Sequence, residues 1–147
     1  MKDATRRQEP HVLEKELTNT IIGAFYAVYN ALGYGFLESV YARSLLLELR
    51  RRGIRALREV GVDVYYLGEP VGRFRTDLIV ESRVIVEVKG GQSLGRTDRE
   101  QLLNYLRCSN LEVGLLMHFG PRPAFQRVVA ENARRRHSAV SASFASS

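Results

Sequence analysis

Three charged side chains, Asp77, Glu87 and Lys89, interrupt two short apolar segments in the stretch TDLIVESRVIVEVKG. Because side chains alternate between the two faces of a strand, Glu87 and Lys89 share one face of the second segment. A hairpin loop made of residues 81–83 would place Asp77 directly opposite Glu87, whereas a two-residue loop would place it opposite Val86. Two carboxylates and an ammonium group are costly to bury among Val, Ile and Leu unless they are paired or bound to a metal. This segment is therefore a candidate site.

Two opposed carboxylates could bind one divalent cation between them. Hard carboxylate oxygens favour Mg²⁺ or Mn²⁺, and Mg²⁺ usually takes only one or two protein carboxylates. Lys89 would then stand beside a metal-bound water, which it could orient or help to deprotonate, and it would offset phosphate charge. These are the parts needed for metal-assisted attack on a phosphodiester bond. A buried ion pair between Lys89 and one of the two acids is the alternative interpretation.

Two helical segments contribute further polar side chains that could take part in this chemistry. Apolar residues recur at helical spacing over residues 36–52, and Glu38 falls on their stripe. Glu38 could be a further metal ligand if that helix packs over the edge of the sheet. A later helix is predicted over residues 98–109, where Gln101 and Tyr105 are four positions apart and thus lie on one face.

The remaining pattern predicts the elements that position these residues. Helical spacing and strand-like alternation give the order helix, helix, three antiparallel strands, helix and strand, with a final short segment that favours a strand weakly. The predicted segments are helices over 17–32, 36–52 and 98–109, and strands over 60–67, 71–80, 83–89, 111–119 and 125–130. This order predicts an α/β or α+β domain in which helices flank a four- to five-stranded mixed sheet.

The size and composition fit one soluble domain. The chain has 147 residues, of which 45% are hydrophobic and 26% charged, as in ordinary globular proteins. We predict an N-terminal extension over residues 1–12, a single domain over 13–131 and a flexible C-terminal tail over 132–147. The absence of an apolar run near 20 residues and of a secretory signal predicts a cytoplasmic protein without a membrane partner.

The chain carries a net charge of +6, with 22 Lys and Arg against 16 Asp and Glu. An excess of this kind fits attraction to the phosphate backbone of a nucleic acid, and a solvated arginine-rich surface is the alternative. Binding through such residues would weaken steeply with added salt. The candidate contacts are Arg50, Arg51, Arg52 and Arg55.

Several other residues could take part in binding but have simpler interpretations. Tyr26, Tyr29 and Tyr34 lie near the glycines between the first two helices and could stack on bases, although lining the core is the commoner fate. His118 lies in an almost wholly apolar strand, where a hydrogen-bonded core histidine is more frequent than a ligand. The glycine-rich segment 90–95 lacks the Lys-Ser/Thr of a phosphate-binding P-loop.

The motif GFLESVY, residues 35–41, resembles the one that names the GxxExxY protein family, a branch of the PD-(D/E)XK nuclease superfamily. Three longer segments are similar to that family in the same order: IIGAFYAVYNALGYGFLESVY, RTDLIVESRVIVEVKG and REQLLNYLRCSNLEVGLLMHFG. The resemblance covers residues 13–129 and implies a restriction-endonuclease-like core. Thr76 replaces the proline of the superfamily's name, and Tyr29 stands where many relatives have histidine.

The resemblance also implies roles for individual residues. The metal ligands would be Asp77 and Glu87, the catalytic lysine Lys89 and the helix carboxylate Glu38. Gln101 and Tyr105 resemble the Q-x-x-x-Y element of the superfamily's helicase-associated exonucleases, where that element supports the site and contacts nucleic acid.

The leading hypothesis is a nuclease dependent on Mg²⁺ (or Mn²⁺) that acts on DNA, with RNA as the second choice of substrate. The alternative is a non-catalytic module that binds nucleic acid or a protein partner and retains the nuclease-like fold. The sequence leaves a homodimer open.

Overall fold

A computed structural model describes residues 14–131 and the backbone of residues 140–145. The predicted extension, residues 1–12, and the remainder of the predicted tail lie outside the described residues. The elements are α1 Lys15–Leu32, α2 Glu38–Arg51, β1 Ala56–Tyr66, β2 Glu69–Val80, β3 Val84–Lys89, α3 Arg96–Cys108, β4 Val113–Phe119, β5 Pro123–Val129 and β6 Val140–Ala145.

The first two helices form where the apolar spacing predicts them. Ile21 and Phe25, four positions apart, are buried on one side of α1. This helix ends at Gly33, whose φ of 74° lies in the left-handed region and whose N–H donates to the Tyr29 carbonyl at 2.8 Å. The second helix begins at Glu38, two residues later than predicted.

The strands form one mixed sheet in the order β5-β4-β3-β2-β1-β6. The first three strands are an antiparallel meander, and α3 then crosses over so that β4 joins β3 in parallel. The prediction of helices flanking a mixed sheet is confirmed, and the weakly predicted last strand is β5. Among the described residues the sheet has a sixth strand, because the backbone of β6 pairs with β1 inside the segment predicted as a tail.

The sheet separates two apolar layers. On one face α1 and α2 pack against alternate residues of β3, including Val86. On the other face α3 packs against Ile85 through Leu102. The alternation predicted for β3 therefore holds, and it places Glu87 and Lys89 on the α3 side. Along β4 every residue is buried, as predicted for a strand covered on both faces.

Within the part of the chain that the structure describes, no helix combines the length and the apolar character that crossing a bilayer requires.

Candidate active site

The β2–β3 hairpin brings the two candidate metal ligands opposite each other. The register pairs Leu78 with Val86 and leaves a hairpin loop of residues 81–83, which makes Asp77 and Glu87 the next opposed positions. Of the two loops that the sequence allowed, the three-residue loop is therefore the one that forms.

The regular backbone ladder of this hairpin stops just before the two carboxylates. There the N–H of Val88 donates to Asp77 Oδ2 at 2.7 Å, and the N–H of Asp77 donates to Glu87 Oε1 at 3.4 Å. On the other side of β2, the register sets Glu59 opposite Asp77, and Glu59 has a left-handed φ of 57°. Side-chain oxygens thus replace backbone partners at the point where the strands diverge, which holds both carboxylates between the strands.

The two carboxylates form a negatively charged pair in which Glu87 is buried and Asp77 is half-buried. Glu87 is 6% exposed. Burial raises the pKa of Glu87 to about 9, and the charge of Asp77 and a hydrogen bond to its carboxylate act in the same direction, with Lys89 opposing them. Burial, and then the neighbouring carboxylate, thus keep Glu87 protonated at neutral pH. A divalent cation bound between the two groups would favour the ionised form of Glu87. The donor set of two hard oxygen ligands fits Mg²⁺ or Mn²⁺.

The half-buried Lys89 lies two residues after Glu87 on the same face, as predicted, but its ammonium group is directed to α3. Its Nζ is 3.9 Å from Asp98 Oδ1. Oδ2 of Asp98 accepts a hydrogen bond of 2.9 Å from the N–H of Gly95, which precedes the first residue of α3. Sequence reasoning missed Asp98, because an acid in the first turn of a helix is ordinarily explained as a cap.

Glu38 reaches the site from the first turn of α2. Its Oε2 accepts a hydrogen bond of 2.8 Å from the N–H of Gly90, the residue that follows Lys89. The side chain is exposed at the helix start, although the position lies on the stripe that Tyr41 continues inward. The helix thus packs over the end of β3, which is the condition under which the sequence allows Glu38 as a further metal ligand. The carboxylate itself lies at the exposed end of the strand and not in the core.

Tyr105 forms one wall of the site from α3. Its ring stacks on Phe74 of β2, with ring centroids 4.0 Å apart and an interplanar angle of 3°. Burial raises the pKa of Tyr105, and the negative charges of Glu87 and Asp77 raise it further, which places the phenol within their field. Gln101 lies one turn earlier on the same side of α3 and is exposed.

A model of the PD-(D/E)XK nuclease superfamily matches residues 15–128, more than three-quarters of the chain. The chain belongs to the PD-(D/E)XK nuclease superfamily. No curated protein and no solved structure gives a significant match. The matched region runs from α1 to β5, so the candidate site of this PD-(D/E)XK protein lies inside it.

Nucleases of this superfamily generally use divalent metals. In this PD-(D/E)XK protein, no three or more His, Cys, Asp or Glu side chains among the described residues form a ready metal-binding group. The carboxylates that the structure brings together are two, Asp77 and Glu87, while Glu38 binds the backbone nearby.

The loop that follows Lys89 in this PD-(D/E)XK protein is also held by β4. His118 is the register partner of Lys89 and is buried. Its Nε2 donates to the carbonyl of Gly91 at 3.0 Å, since a carbonyl can only accept. His118 is therefore a hydrogen-bonded core residue, as predicted, and it has a positional role that the sequence did not reveal.

Tyr41, the last residue of the motif at residues 35–41, bonds to the loop that precedes Glu38. This fully buried side chain donates its hydroxyl proton to the Gly33 carbonyl and accepts a hydrogen bond of 3.1 Å from the N–H of Phe36. The φ of Gly35 is 114°, a conformation that side chains other than glycine rarely adopt. Tyr41 thus fixes the loop that delivers Glu38 to the end of β3.

The four arginines predicted to contact nucleic acid stand at the other end of α2. They are Arg50, Arg51, Arg52 and Arg55. At 1.5 Å per residue, Arg50 lies roughly 18 Å along the helix from Glu38. Glu48 pairs with two of the arginines at 3.7 and 2.9 Å, and Glu81 pairs with Arg55 at 3.6 Å. Two of the arginines line a cleft of about 570 Å³ beside the 81–83 loop, at the far end of β3 from Lys89. The structure does not bring these arginines to the carboxylates.

Proposed function

We propose that this protein is a nuclease that depends on Mg²⁺ or Mn²⁺ and hydrolyses phosphodiester bonds in nucleic acid, in DNA before RNA. The observation that carries the proposal is the pair of opposed carboxylates, the half-buried Asp77 and the buried Glu87, at the point where the hairpin ladder stops. Membership of the superfamily supports the nuclease activity. The motif at residues 35–41 further supports placement in the GxxExxY branch.

Asp77 and Glu87 would hold the cation, and Glu38 would approach it from α2. Mg²⁺ usually takes one or two protein carboxylates, with the rest of its coordination left to water and substrate, so this pair suffices. A bound cation would supply Lewis acidity and a positive charge opposite the phosphate.

The protein's own side chains would then position the substrate. The separation of 3.9 Å between Lys89 Nζ and Asp98 is long for a hydrogen bond, so the ammonium group can turn from Asp98 to a phosphate oxygen at little cost. Glu38 and His118 hold the backbone on both sides of the turn after Lys89, at Gly90 and Gly91. Their hydrogen bonds would keep the ammonium group at a constant distance from the carboxylates.

A second candidate function is binding of nucleic acid without cleavage. It is favoured by the fact that Lys89 and Glu38 are both already engaged within the protein, with Asp98 and Gly90 respectively. The two functions differ in one measurable property, because only the nuclease requires that the carboxylate pair bind a metal during turnover.

Cleavage of labelled single-stranded DNA, duplex DNA and RNA, measured with Mg²⁺, Mn²⁺ or EDTA, tests the proposal. We expect Asp77→Asn and Lys89→Met each to lower metal-dependent cleavage about 100-fold or more. Asp63→Asn is the matched control, since Asp63 pairs with Arg73 at 3.4 Å in the neighbouring β1–β2 hairpin and should keep full activity. Equal cleavage by all four proteins, each shown to be folded by circular dichroism, would refute this site. Metal-independent binding without cleavage would support the second candidate.

A further inference from the structure

The loop between α1 and α2 displays large apolar side chains beside the candidate site. Tyr34 is 43% exposed, Phe36 49% and Leu37 75%. They occupy three of the four positions directly before Glu38. Apolar side chains exposed together beside a polar, charged site are typical of a surface that meets a ligand.

The loop is held in place by buried contacts. The N–H of Phe36 donates to the Tyr41 hydroxyl at 3.1 Å, and the two rings meet edge to face with centroids 6.0 Å apart. Tyr41 in turn stacks on Phe119 of β4, with centroids 4.1 Å apart. One side of the Phe36 ring is thus anchored to the core while the rest of the ring is exposed. A ring fixed in this way loses little conformational entropy when a ligand stacks on it.

The loop lies beside the end of β3 that carries Lys89. Phe36 precedes Glu38 by two residues, and two consecutive Cα–Cα steps span at most about 7 Å. The carboxylate of Glu38 is bonded to Gly90, next to Lys89. Successive nucleotides of a stacked strand rise about 3.4 Å each. A strand whose phosphate lies at the carboxylates and that continues past Lys89 would therefore bring one of its next few bases to the loop.

The flanking charges suit the backbone of such a strand. The loop that contains the exposed Arg122 is tied to α1, because the Tyr29 hydroxyl donates to the carbonyls of Gly120 and Pro121 at 2.7 and 3.0 Å. Arg96 is also exposed at the start of α3, where it pairs at the surface with Glu100 at 3.5 Å. Aromatic rings interspersed with cationic side chains are the arrangement by which proteins bind single strands.

We propose that residues 33–37 form a base-stacking platform, with Phe36 as its central ring, for an unpaired nucleotide near the candidate site. The inference rests on the proposed function in taking nucleic acid as the ligand, and it deepens that function by naming the substrate class: a single strand or a frayed end. Bases inside a duplex are already stacked on one another and offer no free face to the loop. Every base has such a face when unpaired. The platform should therefore prefer single strands to duplexes and show no preference for sequence.

A fluorescence titration tests the platform directly, because the chain contains no tryptophan. Phe36→Trp places one indole on the platform, and Phe125→Trp places one on β5, where Phe125 is 39% exposed. In EDTA, single-stranded DNA of about 12 nucleotides should quench the Phe36→Trp signal saturably. A closed duplex without free ends should quench it far less, and the control variant should change little with either ligand. Quenching of both variants to the same extent, or by both ligands alike, would overturn the inference.

Binding of the same DNA by anisotropy supplies an independent readout. Phe36→Ala and Phe36→Leu should each weaken single-strand binding about 5- to 150-fold, while Phe36→Trp restores it and Phe125→Ala leaves it unchanged. Replacing one nucleotide by an abasic residue should weaken binding by the wild type and not by Phe36→Ala. Unchanged affinity in Phe36→Ala and Phe36→Leu, with melting temperatures near that of the wild type, would refute the platform.

Two further outcomes separate this inference from others. A change of oligomeric state in Phe36→Ala, seen by sedimentation without any change in DNA affinity, would assign the loop to contact with a second copy of the chain and overturn the platform. Absence of metal-dependent cleavage by the wild type, together with the expected effects of Phe36 on binding, would refute the nuclease proposal and leave the platform standing.

Discussion

Replacing Glu87 by Gln should flatten the pH dependence of stability in the metal-free protein. Burial, followed by the neighbouring charge of Asp77, raises the pKa of Glu87 from 4.5 to about 9. The unfolded chain loses this proton near pH 4.5, so between about pH 4.5 and 9 the native state holds one proton more than the unfolded state. The stability that this proton contributes is fully present below about pH 4.5 and is lost as the pH rises through 9.

The size of this pH dependence follows from the single extra proton that the native state binds. A difference of one bound proton changes the free energy of unfolding by about 1.4 kcal/mol per pH unit. Between about pH 5.5 and 7.5 the wild type should therefore lose about 2.5 kcal/mol through this group alone. The Gln side chain has nearly the same volume and carries no proton that titrates in this range, so the variant should lack that part of the slope.

Urea denaturation in EDTA at several pH values between about 5.5 and 7.5 measures the difference. With a typical dependence of 1–3 kcal/mol per molar urea, about 2.5 kcal/mol corresponds to a shift of roughly 0.8 to 2.5 M in the midpoint. Glu100→Gln is the control, because it removes one carboxylate from the exposed side of α3, where Glu100 pairs with Arg96 at 3.5 Å. Equal slopes in the wild type and Glu87→Gln would show that the native carboxyl pair holds no extra proton and would refute the reasoning.

The same proton connects stability to metal binding. If Asp77 and Glu87 hold the cation, Mg²⁺ or Mn²⁺ should displace about one proton per ion near pH 7.5. Calorimetric titration in buffers of different ionisation enthalpy counts it. Removing the metal with a chelator should restore the pH slope of the metal-free wild type. Metal binding without proton release would place the ion elsewhere.

Two predictions concern the elements that support the site. Tyr41→Phe leaves the Gly33 carbonyl and the Phe36 N–H without their hydrogen-bond partner. It should therefore lower the free energy of unfolding by about 1–3 kcal/mol and reduce cleavage. The control Tyr66→Phe, at an exposed position, should change neither quantity. Gly114→Ala would bring a methyl group within 2.9 Å of the Leu102 side chain and should destabilise the protein by about 1–3 kcal/mol in urea denaturation. Gly72→Ala, which meets no atom within 4 Å, should be close to neutral, and equal stability of these two glycine variants would contradict the packing between α3 and β4.

The hairpin and its charged face could be predicted because strand alternation is a local property of the sequence. The length of its loop could not. Glu81 and Ser82 both adopt positive φ, 52° and 54°, which residues other than glycine adopt rarely. The residue types in the loop therefore did not show whether the loop has two or three residues. Only the three-residue loop places Asp77 opposite Glu87.

The partners of the site residues could not be predicted because they come from other elements. Lys89 pairs with Asp98 across the β3–α3 connection, and nothing in the local pattern of either segment indicates the contact. The arginines after residue 49 are close to one another in sequence, but α2 carries them away from Glu38 at its other end. Clustering along the chain therefore predicted a charged patch and gave no information about its distance from the carboxylates.

Tyr41 shows how the spacing of the motif at residues 35–41 specifies a geometry. Three positions separate Glu38 from Tyr41, so both lie on the same side of α2, one at its exposed first turn and the other in the core. In the sequence Tyr41 is one more member of an apolar stripe, and its ring does pack as such against Phe119. Its hydroxyl, however, forms hydrogen bonds with the loop that precedes Glu38, and its ring contacts the Phe36 ring edge to face. One side chain thereby fixes both the helix carboxylate and the exposed ring next to it, which is why a change at Tyr41 should affect metal-dependent cleavage and single-strand binding together.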